Sequence, residues 1–171
     1  MFEQKTAYQV GDQVIHRTYG LGEIIQLDEK VLSGHIGQYY VVQIYDLTLW
    51  VPINDTGVGC LRNLTPAREF QKLFRILASP GEPLSPDRYE RKTQLTERLK
   101  DGTLESICRV VRDLTLHKQI RKMNDNDSSN LDHAKALLLN EWSAALSVPF
   151  QQAEHELRQL LDRSMVYAKQ S

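Results

Sequence analysis

Tyr8-Gln9-Val10-Gly11-Asp12-Gln13-Val14-Ile15-His16 and, after Arg17 and Thr18, Tyr19-Gly20-Leu21-Gly22-Glu23-Ile24-Ile25 decide how the front of this chain folds. A Gly-Asp turn launches a short apolar strand, and a Gly-x-Gly break throws the chain into the next one. Glycine supplies the φ > 0 corners that a side chain forbids, so the spacing writes a small, tightly curved barrel. Working outward, residues 13–17 and 23–27 read as consecutive strands. Residues 38–44 are rich in β-branched and aromatic side chains (Tyr39, Tyr40, Val41, Val42, Ile44), and Asp46 turns them into Leu47-Thr48-Leu49-Trp50-Val51. The loop 54–59 precedes a last short strand at 60–62. Strands this short, at hairpin spacing, predict a five-stranded barrel or strongly bent sheet, an architecture that serves binding more often than catalysis.

The texture changes after Asn63. Thr65 and Pro66 read as the N-cap and first residue of a helix carrying Phe70, Leu73, Phe74 and Leu77 inward. Ser79-Pro80-Gly81-Glu82-Pro83 breaks it. Ser85 and Pro86 start a second helix with Leu95 and Leu99 on its apolar face, stopped by Asp101-Gly102. Thr103 caps a third, with Ile107, Val111 and Leu114 inward. The segment 124–129 reads as a polar loop. A fourth helix follows with Leu131, Ala134, Leu138, Trp142 and Leu146, and Pro149 opens a fifth with Ala153, Leu157, Leu160 and Leu161. Trp142 shares a face with Leu138 and Leu146, which assigns it to the core. The expected fold is α+β: a barrel in residues 1–64, then an all-helical bundle of about five helices in residues 65–171.

Composition bounds the function. At 171 residues, with 25% charged residues and a formal net charge of -1, no whole-chain field announces nucleic acid or membrane. Cys60 and Cys108 stand alone, without CxxC spacing, which reads as a reducing compartment. No basic-then-apolar leader follows Phe2, and no apolar run approaches a membrane span, so a soluble cytoplasmic protein is expected.

Charge is nevertheless unevenly spread. Between residues 88 and 122 the chain has ten cations against five acids, a surplus of +5 that leaves -6 for the remainder. Such polarisation can place a phosphate-binding face on a near-neutral protein, and it also suits an ordinary solvated helix surface. The candidates for nucleic-acid contact are Arg88, Tyr89, Arg91, Lys92, Arg112, Lys118, Arg121 and Lys122. On the barrel, Leu47, Thr48, Leu49, Trp50 and Pro52 form a short strand whose free edge would accept a partner strand. Alternation puts Leu47, Leu49 and Val51 inward and Thr48 and Trp50 outward, which makes Trp50 a natural interface anchor.

The combination of barrel and bundle resembles the CarD family of bacterial transcription regulators. The resemblance rests on Val10-Gly11-Asp12-x-Val14-Ile15, Tyr19-Gly20-Leu21-Gly22-Glu23-Ile24, Tyr39-Tyr40-Val41-Val42, Leu49-Trp50-Val51-Pro52 and Ile107-Cys108-Arg109-Val110-Val111-Arg112-Asp113-Leu114. Ala136-Leu137-x-x-x-Glu141 and Leu157-x-x-Leu160-Leu161 fit the family's last helices. What it implies is a Tudor-like domain that docks on the β subunit of RNA polymerase, and a helical domain that contacts promoter DNA near the upstream edge of the transcription bubble. In that family an arginine often stands where this chain has Trp50, with another near Lys30, so Lys30 joins the expected polymerase contacts. A tryptophan used as a minor-groove wedge is expected near the start of the second helix; this chain has Arg88 and Tyr89 there.

Catalysis finds little support. His16, His35, His117, His133 and His155 are scattered, with no HExxH or paired metal spacing, so no metal or cofactor is expected. Counted from Asn124, Ser129 and Lys135 stand where an EF-hand needs glycine and glutamate. No Walker motif is present, which excludes the repair translocase that shares a similar polymerase-docking domain. The reading is a non-enzymatic, monomeric regulator that binds RNA polymerase through the barrel and promoter DNA, weakly and without sequence preference, through the bundle. Its rivals are a protein that docks without touching DNA, and a Tudor-like reader of a peptide or RNA with an aromatic cage around Trp50 and Tyr39 or Tyr40.

Overall fold

The computed structural model describes residues 7–53 and 59–170, with side chains as far as Val166 in the last helix. The chain divides into two compact units, Met1–Leu64 and Thr65–Ser171. In the first, β1 (Gln13–His16), β2 (Gly20–Leu32), β3 (His35–Ile44), β4 (Leu47–Pro52) and β5 (Leu61–Arg62) form one antiparallel sheet in the order β4-β3-β2-β1-β5. The five strands expected from the sequence are all present. The sheet stays open, since β4 and β5 form its two edges rather than pairing. Its core is Val14, Ile24, Tyr40, Val42, Ile44 and Val51, with Leu49, Cys60 and Leu61 packed against it.

The glycines do two different jobs. Gly11 (φ 96°) and Gly20 (φ 86°) occupy the left-handed region, as the corner reading requires. Gly22 does not; a Cβ there would lie 2.7 Å from Ile44 Cγ1 and 2.8 Å from Val42 Cγ1. Its role is to let β3 side chains close over β2. The hairpin between β2 and β3 is longer than the sequence reading, which ended one strand at residue 27 and began the next at 38. Ser33 (φ 53°) and Gly34 (φ 79°) form a two-residue turn with both angles positive, the geometry that matches strand twist. The pairing runs from Glu23↔Gln43 to Leu32↔His35, with an irregularity between Ile24 and Gln26. Of the loop expected at 54–59, residues 54–58 lie outside the described residues.

The second unit contains α1 (Phe70–Ala78), α2 (Arg88–Leu99), α3 (Leu104–Ile120), α4 (Asp125–Leu146) and α5 (Phe150–Gln170). Trp142 sits fully buried against Phe74 and Phe70, with ring centroids 4.8 Å and 6.4 Å away. Three helix starts differ from the sequence reading, each for a capping reason. Thr65 caps nothing: its N–H and Oγ1–H both donate to Glu141 Oε2 of α4, at 2.9 and 2.7 Å, and a single 3-10 turn, Ala67–Glu69, leads into α1. Asp87, not Ser85, caps α2 by accepting from the N–H groups of Tyr89 and Glu90. The supposed loop 124–129 is the first turn of α4, closed by a reciprocal capping box between Asn124 and Asp127. Thr103 caps α3 as expected, accepting from Ser106 N–H. Among the described residues no helix is long and apolar enough to cross a membrane.

Candidate functional site

Two surfaces carry the candidate residues, one on each unit. On the sheet, β4 is an edge strand whose inner neighbour pairs it in the register Val41↔Trp50 and Gln43↔Thr48. Val51 is buried and Leu49 half-buried on the core side, while Trp50 is 42% exposed on the other. Leu47, assigned inward by alternation, is 38% exposed, because it begins the strand at the rim of the core.

The indole of Trp50 crosses β3 to reach β2. Lys30 Nζ stands 3.6 Å from the ring centroid, within cation–π range, and Trp50 Nε1–H donates to Asp28 Oδ2 at 3.3 Å. Lys30 and Asp28 are two residues apart on β2 and so share a face. Trp50 is thus fixed by a cation on its face and a carboxylate at its edge while a large part of it stays open to a partner. Thr48 Oγ1–H donates to Gln43 Oε1 at 2.7 Å, which leaves Pro52 to close the strand.

On the bundle the basic candidates divide sharply. Arg91 and Arg112 are each 4% exposed, so they leave the nucleic-acid set. Arg91 Nε and Nη2 donate to Asp127 Oδ1 and Oδ2 at 2.9 and 2.8 Å, a bidentate pair. Arg112 Nε donates to Asp113 Oδ1 at 2.9 Å and Nη1 to Ser79 Oγ at 2.8 Å, which ties α3 to the end of α1. A guanidinium so engaged cannot turn outward without stranding a buried carboxylate. Of the other cations in the window, Arg98, Lys100 and Arg109 are paired with acids. Arg88, Lys92, Lys118, Arg121 and Lys122 are exposed and make no ion pair among the described residues. Tyr89 is 68% exposed, with the Arg88 guanidinium 4.7 Å over its ring and Arg88 Nη2–H donating to its hydroxyl at 2.7 Å.

These exposed residues are brought to one end of the bundle. The Arg91–Asp127 pair holds the first turn of α2 against the first turn of α4, and Lys118, Arg121 and Lys122 lie where α3 ends just before α4 begins.

Residues 8–65 match the family model described as CarD-like/TRCF RID domain, and residues 72–158 match that of the CarD C-terminal domain. The chain belongs to the CarD family. A similar protein from Bacillus subtilis (strain 168), named "Putative transcription factor YdeB", is 26% identical over 137 residues, which cover 78% of this chain and 89% of that protein. The CarD family is a transcription-factor type rather than an enzyme class, and the N-terminal match is to its RNA polymerase-interacting module.

Two contributors to this CarD-family chain's surfaces escaped the sequence reading: Asp28, which holds Trp50, and Asp127, which holds Arg91. The Ser33-Gly34 turn signal sets the register that brings Asp28 near Trp50, and the i,i+4 spacing of Arg91 and Leu95 already put Arg91 on the buried side of α2. Tyr40 does not join Trp50 in a cage, whereas the register Tyr39↔Pro52 beside Val41↔Trp50 puts Tyr39 on the Trp50 face. Tyr40 is buried on the core side, where its hydroxyl accepts from Ala7 N–H at 3.0 Å, and Tyr39 lies against Gly37, where a Cβ would meet its ring at 2.9 Å. Burial pushes the Cys108 thiol well up, reinforced by Glu141 and Glu105, which makes it inert. Among the described residues no group of three His, Cys, Asp or Glu could hold a metal ion.

Proposed function

We propose that this chain modulates transcription initiation by docking its first unit on the β subunit of RNA polymerase while the basic end of its bundle contacts promoter DNA. The docking surface is the β4 edge with Leu47, Thr48, Leu49, Trp50 and Pro52, together with Lys30. The observation that carries the reading is Trp50, an exposed aromatic on an edge strand, held in one place by Lys30 and Asp28. Backbone groups of the edge supply affinity to an added strand, and a pre-positioned indole supplies an anchor whose ordering cost is already met. Lys30 also occupies the ring face that a cation-reading cage would need, which argues against the peptide-reader alternative.

The DNA surface is Arg88, Tyr89, Lys92, Lys118, Arg121 and Lys122. These cations would neutralise phosphates without reading bases, and Tyr89 is the exposed ring available to stack at an opened step. The protein would work as a monomer on polymerase in the cytoplasm, with no cofactor. Withdrawal of Arg91 and Arg112 into the bundle shrinks the basic surface and favours, as a second reading, docking without DNA contact.

A pull-down from the native cytosol tests the docking claim. Wild type should recover RNA polymerase and Trp50→Ala should lose most of it, by about tenfold or more for an interface anchor. Equal recovery by the two proteins, both folded, would exclude Trp50 as the anchor.

A further inference from the structure

The Arg91–Asp127 pair is closed to solvent and touches no phosphate, yet it joins the segments that carry the candidate phosphate contacts. Beyond its two bonds to Asp127, Arg91 donates from Nη1 to the carbonyls of Ser85 and Pro86 at 3.0 and 3.3 Å, immediately ahead of the α2 cap Asp87. Asp127 in turn closes the capping box on Asn124, two residues after Lys122. His117, one turn before Arg121, is buried beside both partners. One guanidinium therefore links the turn bearing Arg88, Tyr89 and Lys92 to the α3–α4 junction bearing Lys118, Arg121 and Lys122.

Phosphates repeat along a strand at a fixed pitch, so two cationic clusters can engage one duplex together only if their mutual register is fixed. We infer that Arg91 and Asp127 are a positioning pair that sets this register and makes one phosphate-tracking surface out of two clusters. The inference rests on the reading of the bundle as a DNA-contacting surface. Arginine is required because a lysine ammonium is a point charge that cannot bridge a carboxylate bidentately and hold two carbonyls as well.

The test is Arg91→Lys in the full chain, which leaves net charge unchanged. Binding to a short duplex DNA is followed by fluorescence anisotropy across a salt series, at a temperature where circular dichroism shows the variant folded. Affinity should fall by about tenfold and the slope of log K against log salt should shrink by about two, as one cluster disengages. Because Arg91 is buried, a smaller slope cannot come from a lost direct contact. Asp127→Asn, which keeps an oxygen for the capping box and removes the charge, should give the same loss. Folded variants with wild-type affinity and slope would overturn the inference, provided Lys92→Gln and Arg121→Gln do weaken binding. If those two exposed variants also bind as wild type does, the DNA surface itself is wrong.

Discussion

His117 shows what a single buried residue does to this bundle. Its imidazole is 2% exposed and its Nδ1 has no hydrogen-bond partner. Burial holds its pKa below the ordinary 6.5, Arg91 and Arg121 push it the same way, and Asp127 opposes them. The unfolded chain therefore binds this proton more readily than the folded one, so stability is full above about pH 6.5 and declines as pH falls through the lowered value. Wild type should lose more urea resistance than His117→Gln between about pH 7.5 and about pH 5. Parallel losses in the two proteins would show that the folded bundle protonates this imidazole as readily as the unfolded chain does. His16 is also held below its ordinary value by burial, but it lies in the other unit and is common to both proteins, so the difference isolates His117. The same neighbourhood explains a misreading. Arg91 and Arg112 stand in a cation-rich window, and formal charge does not reveal that each faces a carboxylate supplied by another position. Trp50 was legible because strand alternation alone decides which way it points.

At the scale of elements, the caps fix where each helix begins, and one of them offers a direct measurement. Asn124 accepts from Asp127 N–H at 2.8 Å, while Asp127 Oδ2 accepts from Asn124 N–H at 3.4 Å. Asn124→Ala should cost about 1 kcal/mol of unfolding free energy, within the range of about 0.5–2 measured for such caps, and urea titration would read it. A variant as stable as wild type would mean that water satisfies the first turn of α4 equally well. The five strands and five helices were legible from periodicity, since apolar spacing of two and of three to four residues survives in one sequence. The starts were not, where two polar residues competed to be the cap. Thr65 is as good a cap as any by residue type, but the buried carboxylate of Glu141, 76 positions away, claims both its donors. The segment 124–129 looked like a loop because Asn, Asp and Ser favour turns and helix N-termini alike, and only the reciprocal bond separates the two. The long β2–β3 hairpin was missed for a related reason. Its charged residues, Asp28, Glu29 and Lys30, look like a loop until the Ser33-Gly34 turn is read as one.

For the molecule as a whole, the two proposed surfaces gain from being in one chain. Neither is large: one edge strand with one aromatic anchor, and a handful of exposed cations. Non-specific DNA binding by such a set should be weak alone, on the order of 10⁻⁴ to 10⁻⁶ M, and should fall steeply with salt. Docking on polymerase converts that contact into an intramolecular one at an effective concentration on the order of millimolar, enough to hold the bundle on DNA that it would not otherwise occupy. The consequence is a dependence of one surface on the other that no contact between them is needed to explain. A photo-crosslinker placed at Lys92 should therefore label promoter DNA within the polymerase–promoter complex, and the added change Trp50→Ala should abolish that labelling. The same Trp50→Ala protein should bind an isolated duplex as wild type does, because the indole lies in the other unit. Raising the concentration of the doubly altered protein toward its free DNA dissociation constant should restore labelling. Crosslinking that survives Trp50→Ala at low protein concentration would mean that the bundle finds the promoter unaided, and tethering would have to be abandoned.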